Sequence, residues 1–165
     1  MTKFYLYHAD AFKKLKTIPD NSIDLILTDP PYNLSSYSTG NMKFSWRSDI
    51  NNDLATWDRN FNPIDLKDDF VRILKPTGNI MAFCSFTKQN EMHNFFESPI
   101  CMGPERLKNP KHPTQKPILL LTHLLKIATN EGDMVLDPFM GVGSTGVAAL
   151  QNKRNFIGIE LEKDY

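Results

Sequence analysis

An apolar run, Ile23-Asp24-Leu25-Ile26-Leu27, breaks off into Thr28-Asp29-Pro30-Pro31-Tyr32-Asn33, so that a carboxylate, two prolines and an aromatic ring follow one another directly. The run is a short β-branched and aliphatic block between polar turn formers, the pattern of a strand. Prolines lack the N–H that a sheet ladder needs and fix φ, so pairing ends there and the chain makes a stiff, extended corner. Asp29 and Tyr32 are thereby held at a strand's carboxyl end. Taken alone, Asp-Pro-Pro is equally an ordinary strand-ending turn with a solvated carboxylate.

A second corner repeats the layout. The strand pattern Asp133-Met134-Val135-Leu136 runs into Asp137-Pro138-Phe139, and Gly141, Gly143 and Gly146 then lead through Ser144 and Thr145 into a helix. Glycines let a backbone pass close to a ligand, and a helix start offers unpaired N–H groups. A lone glycine-rich turn is weak evidence, and this one matches a dinucleotide fingerprint only loosely and lacks the Lys of a P-loop. Glu160 sharpens it. It stands, with Leu161, at the end of the next strand pattern, about 20 residues on, where an acidic side chain accepts hydrogen bonds from ribose hydroxyls. The pair implies an adenosine-type ligand. Asp137 in front of the glycines would repel a pyrophosphate but suits the ammonium of an amino acid, and S-adenosylmethionine combines the two. Near the chain start Asp10 and Ala11 also follow a strand and open a helix. On its own Asp10 is an N-cap; within a nucleoside site it also stands to meet the adenine amino group.

The elements that must position these corners are legible as an alternation. Strand patterns lie at residues 4–10, 23–31, 79–86, 133–139 and 155–161, and helical patterns at 10–18, 63–78, 117–132 and 143–153. Pro76 and Gly78 are expected to stop the second helix. Strands alternating with helices predict an α/β domain with a mainly parallel sheet, in which ligands bind beyond the carboxyl ends of the strands. The stretch from Asn33 to Asn62 is long, polar and aromatic, and is expected to be a substrate loop or lid. Residues 87–111 give no strand pattern and end in a basic stretch.

A chain of 165 residues is one domain's worth, with 19 basic and 19 acidic residues and no net charge. A pure nucleic-acid binder would be basic overall, so any basic face must be local. Arg106, Lys108, Lys111 and Lys116 supply a candidate, with a solvated connector as the other reading. No apolar run is long enough to span a bilayer, and the N-terminus lacks a signal-peptide layout. Two cysteines, Cys84 and Cys101, form no disulfide framework, so a reduced, cytoplasmic setting is expected. No metal is called for.

Four motifs in one order carry a resemblance: Thr28 to Asn33, then Lys111-His112-Pro113-Thr114-Gln115-Lys116-Pro117, then Leu136 to Gly146, then Asn155 to Tyr165. Together they resemble the DNA amino-methyltransferases acting on adenine N6 or cytosine N4, in the class whose catalytic corner precedes the cofactor corner. Trp57-Asp58-Arg59-Asn60-Phe61 also looks like that family, and the likeness covers nearly the whole chain except residues 87 to about 107. It implies a Rossmann-like methyltransferase fold, α/β/α in three layers, with S-adenosylmethionine as cofactor. It implies that Asp29, Pro30, Pro31 and Tyr32 grip the exocyclic amino group of a base swung out of the duplex, Asp29 also bordering the cofactor. His112, Thr114, Gln115 and Lys116 would line the methionine end of the cofactor site.

In such a site the adenine N6 lone pair is delocalised into the ring, and two acceptors aimed at its hydrogens would disfavour that conjugation. The Asp29 carboxylate and the Pro30 carbonyl are assigned that role, with Tyr32 stacking on the extruded base. Adenine is favoured because Asp before the prolines is commoner in the adenine enzymes of the family and Ser in the cytosine ones. An RNA base or a protein amide is disfavoured by the motif order, and a nicotinamide dehydrogenase leaves the first corner unexplained. The implied partner is double-stranded DNA, with a cognate restriction endonuclease and a second copy in a homodimer as candidates, in a bacterial or phage-encoded setting. Relatives carry two further strands and a target-reading region before the His112 motif, and a covering helix after the last strand. Here a single catalytic domain over residues 1–165 is expected, with those segments missing; a cofactor-binding remnant without catalysis is the alternative from another class.

Overall fold

The computed structural model describes residues 2–31, 41–42, 50–51, 61–83 and 115–163. Five strands form one parallel sheet: β1 (Phe4–His8), β2 (Ile23–Thr28), β5 (Leu74–Ala82), β6 (Met134–Asp137) and β7 (Asn155–Glu160), in the order β1-β7-β6-β2-β5. The short strands β3 (Asn41–Met42) and β4 (Ile50–Asn51) pair antiparallel as a separate ribbon within the stretch expected to be a loop. Two residues a side are too few for period-two alternation to show in the sequence.

Helices cover both faces, as parallel strands require. Helix α1 (Ala11–Leu15), a 3-10 turn (Pro63–Leu66) and α2 (Lys67–Ile73) lie on one side, where Leu15, Leu66 and Ile73 pack with Ile23, Ile26, Leu136 and Ile159. Helices α3 (Ile118–Ala128) and α4 (Ser144–Gln151) lie on the other, where Leu121, Leu125 and Ala148 meet Leu25, Leu27, Val135 and Phe156. Neighbouring residues of one strand, Val135 and Leu136, thus feed opposite cores, so the central strands read as apolar runs and not as alternations. The parallel sheet is as the alternation of patterns implied, and the three-layer α/β/α arrangement as the family resemblance implied.

Helices and strands are shorter at their ends than the patterns, and one boundary moves by more. The third strand pattern begins at Asn79, yet β5 begins at Leu74, directly after α2. Ile23 pairs with Leu74 and Leu25 with Asn79, so the residues around Pro76 and Gly78 form an irregularity inside the strand. The helix ends at Ile73, ahead of both residues, and Pro76 and Gly78 lie inside β5, absorbed as a bulge because the outer side of β5 has no partner strand among the described residues.

From β2 the chain passes outward to β5, and from β6 it passes the other way to β7. Between β2 and β6 the winding therefore reverses, and the crevice beyond their carboxyl ends is where such a sheet takes ligands.

Candidate active site

Both corners stand at that reversal. β2 and β6 are hydrogen-bonded neighbours, Leu25 with Val135 and Ile26 with Leu136, which brings Thr28-Asp29 beside Asp137-Pro138. The junction is closed by side chains: the Thr28 hydroxyl donates to Asp137 Oδ1 over 3.0 Å. The same oxygen accepts the Phe139 N–H at 3.2 Å, and the Thr145 hydroxyl adds a third bond to this carboxylate. Burial nonetheless dominates. It pushes the Asp137 carboxyl up to about 6, against the lowering effect of those bonds and with a small upward push from the Asp29 charge.

The turn after Asp137 is shaped by two left-handed residues, Gly141 at φ 50° and Gly143 at φ 79°, the second serving as N-cap of α4. A side chain at these dihedrals would be strained. Glu160 fastens the turn: its Oε2 accepts the Gly141 N–H at 2.8 Å and its Oε1 the Glu162 N–H at 2.8 Å. Met140 N–H donates to the Ile159 carbonyl at 3.0 Å. Gly146 lets α4 sit close to the sheet, since a Cβ there would lie 2.8 Å from the Phe156 ring. Ser144 and Thr145 are buried in the first turn of α4.

The nucleoside end is assembled by register. His8 of β1 pairs with Glu160 of β7, so Asp10 and Ala11 come next to Glu160 and Leu161. Ala9 N–H donates to the Glu160 carbonyl at 2.9 Å, and the His8 imidazole Nε2 meets the Leu161 carbonyl at 2.9 Å. Asp10 caps α1, its Oδ1 accepting the Phe12 N–H at 2.8 Å. Two side chains with no role assigned from the sequence, Thr28 at the β2–β6 junction and Phe12 in α1, help build the crevice, as does Phe61, named from the sequence only within the Trp57–Phe61 likeness. The signal of Thr28 in the sequence was only a hydroxyl before the Asp-Pro-Pro corner. The Phe61 ring stands edge-on to Phe139 at 5.3 Å between centroids and 6.2 Å from Phe12, joining the cofactor turn to α1 through aromatic contacts that no spacing in the sequence reveals.

At the first corner, Asp29, Pro30 and Pro31 are partly buried, and Lys116 forms an ion pair with Asp29 Oδ2. Gln115 is buried beside it in the approach to α3. Tyr32, His112 and Thr114 lie outside the described residues, as do most of the expected substrate loop and the basic residues Arg106, Lys108 and Lys111. Among the described residues no cluster of His, Cys, Asp or Glu suits a metal ion, and no helix is long and apolar enough to cross a membrane.

The donor set fits a molecule that carries an adenosine at one end and a charged amino acid at the other. Carboxylates from Asp10 and Glu160 stand at the ends of β1 and β7, and the buried Asp137 stands under the glycine turn at the end of β6, the neighbour of β7.

Comparison with known proteins gives a consistent picture. Residues 85–165 match the DNA methylase family of N6 and N4 methyltransferases. The chain is 28% identical over 239 residues to the Type II methyltransferase M2.LlaDCHI of Lactococcus lactis subsp. cremoris, covering 97% of this chain and 85% of the relative. It is 27% identical over 242 residues to the Type II methyltransferase M2.DpnII of Streptococcus pneumoniae, covering 99% and 87%. Both alignments are longer than the chain, so within the matched span these relatives carry residues that this chain lacks. The solved M1.HpyAVI–SAM complex superposes with a TM-score of 0.65 at 26% identity, over 98% of this chain and 96% of that one. The PvuII DNA methyltransferase (cytosine-N4-specific) shares the fold, with a TM-score of 0.63 at 15% identity, over 100% and 84%.

Proposed function

We propose that the chain is a DNA amino-methyltransferase with S-adenosylmethionine as its cofactor, and that it methylates the exocyclic N6 amino group of adenine in duplex DNA, reached by base flipping. The single observation that carries this reading is the juxtaposition of the two corners, tied by the Thr28 hydroxyl to Asp137. A methyl donor seated on the glycine turn would then stand next to a base seated at Asp29.

The cofactor supplies an electrophilic methyl group on a positively charged sulfur. Everything else falls to the chain. Glu160 and Asp10 accept hydrogen bonds from the nucleoside, using lone pairs beyond those engaged with backbone N–H groups. Asp137 faces the ammonium of the methionine portion, and Gln115 lies at the same end. Asp29 and the Pro30 carbonyl accept the two amino hydrogens of the target base, which draws the nitrogen lone pair out of the ring and stabilises positive charge as it develops on nitrogen. The two prolines hold that carbonyl in a fixed direction. Tyr32, stacking on the base, offsets part of the cost of extruding it. The methylated nitrogen then releases a proton to solvent water, and a direct transfer of this kind calls for no metal and no covalent enzyme intermediate.

Adenine over cytosine rests on Asp29 standing before the prolines, the residue commoner in adenine enzymes. The work would be done in a bacterial cytoplasm, within a restriction-modification system or as a phage or orphan enzyme, with a cognate endonuclease and a homodimer as candidate partners. One observation favours a second reading, a cofactor-binding remnant: the relatives align over more residues than this chain has. The test for both is transfer of labelled methyl from S-adenosylmethionine to unmethylated duplex DNA, followed by nucleoside analysis. N6-methyladenine is the expected product, N4-methylcytosine would reassign the target, and binding of cofactor without any transfer would establish the remnant.

A further inference from the structure

The Lys116 ammonium is bonded to Asp29 Oδ2 and lies over the Phe83 ring, 4.8 Å from its centroid. These groups come from three places far apart in the sequence: the corner after β2, the residue following β5, and the turn into α3. Their backbones are anchored independently of the side chains. Phe83 N–H donates to the Thr28 carbonyl at 2.9 Å, and Pro117, the N-cap of α3 at φ −61°, restricts the chain just after Lys116. Both charged side chains are largely withdrawn from water, at 22% exposure for Lys116 and 17% for Asp29. A contact so placed differs from a solvated surface pair, which holds neither partner in one geometry.

Resting on the reading of Asp29 as an acceptor for the target amino group, we propose that Lys116 is a positioning residue for methyl transfer, holding the Asp29 carboxylate in direction before a base arrives. Direction is what the step requires. The acceptor must lie along an N–H bond while the nitrogen changes from planar to tetrahedral, and an acceptor already oriented has no reorganisation left to make. The charge of the ammonium works against a cation forming on the base, so orientation and not field carries the benefit. Phe83 holds the ammonium from a second side, which keeps a flexible four-carbon side chain on the carboxylate. Lys116 thus serves the catalytic corner from a segment whose resemblance assigns it to the cofactor.

The test compares the full chain with Lys116→Met and Lys116→Arg, reading kcat at saturating DNA and cofactor and, separately, the Kd for S-adenosylmethionine by calorimetry. Lys116→Met is expected to lower kcat tenfold or more with Kd changed less than threefold, and Lys116→Arg to recover most of the loss, because a guanidinium also holds a carboxylate. Should the Met variant fold poorly, Lys116→Ala takes its place. A kcat that is kept or raised without Lys116 overturns the proposal, a raised one marking an ammonium that competes with the base. A loss confined to Kd, or no recovery with Arg, overturns it too. Wild-type chain that transfers no methyl to DNA sinks the reading of Asp29 and this inference with it, whereas active wild type with an unaffected Met variant sinks the role of Lys116 alone.

Discussion

Two carboxylates beside the same crevice, Asp29 and Asp137, sit in different surroundings. Asp29 stands at the edge of the crevice, paired with the Lys116 ammonium. Asp29→Ala is expected to lower methyl transfer by about two to three orders of magnitude, the loss typical for a preorganised charge-stabilising group, while the Kd for S-adenosylmethionine stays within a few-fold. Equal loss of both would place Asp29 in the cofactor site or the fold. Asp137 is buried and its carboxyl is pushed up to about 6. In the unfolded chain it ionises near the ordinary 3.8, so between those values the folded state binds the extra proton. Folding stability therefore falls as pH rises through that window and is level above it, by a full cost of about 3 kcal/mol. Asp137→Asn, which cannot ionise, should show a stability advantage over wild type that grows by up to this amount between pH 4 and pH 8, read from urea midpoints. A constant difference across that range would mean that Asp137 ionises normally in the fold. An ammonium brought against Asp137 favours the carboxylate, so the Kd for S-adenosylmethionine should also weaken as pH drops below about 6.

The turn from Pro138 to Gly143 and helix α4 act as one element, because Glu160, Ile159 and the sheet hold the turn while Gly146 lets the helix close on Phe156. Gly143→Ala places a Cβ at φ 79° with open space around it, so its cost is backbone strain alone, about 1 kcal/mol. Gly146→Ala has the reverse balance. Helix propensity favours Ala by roughly 1 kcal/mol, but the new Cβ would meet the Phe156 ring at 2.8 Å, and overpacking of this kind costs about 1–3 kcal/mol. Net destabilisation with a weaker cofactor Kd is expected for Gly146→Ala; a rise in melting temperature would show that α4 has room to lift off the sheet without disturbing the turn.

At the scale of the molecule, the cofactor crevice is bordered by the ends of β1, β7, β6 and β2, which are also the strands whose apolar residues join the two cores. Cofactor binding and folding are then linked. S-adenosylmethionine at a hundred times its Kd should stabilise the chain by about 2.7 kcal/mol, visible as a higher thermal midpoint, and the shift should shrink in Asp137→Ala. An unchanged midpoint under saturating cofactor would contradict the site. The neutral overall charge predicts that duplex affinity falls steeply with salt only to the extent that a local basic cluster reaches phosphates.

The parallel α/β plan and the two Asp-Pro corners were legible in the chain because apolar periodicity and proline chemistry are local: neighbours within a few residues decide whether a strand continues. The family likeness came from four motifs in order, which is also linear information. Folding decided which distant residues touch. That Thr28 would close on Asp137, that His8 and Ala9 would brace the end of β7, that Phe61 would bridge Phe12 and Phe139, and that Lys116 would reach Asp29 all follow from strand order. Strand order depends on which apolar faces pack together across the whole sheet, a sum over contacts far apart in sequence that no local pattern records.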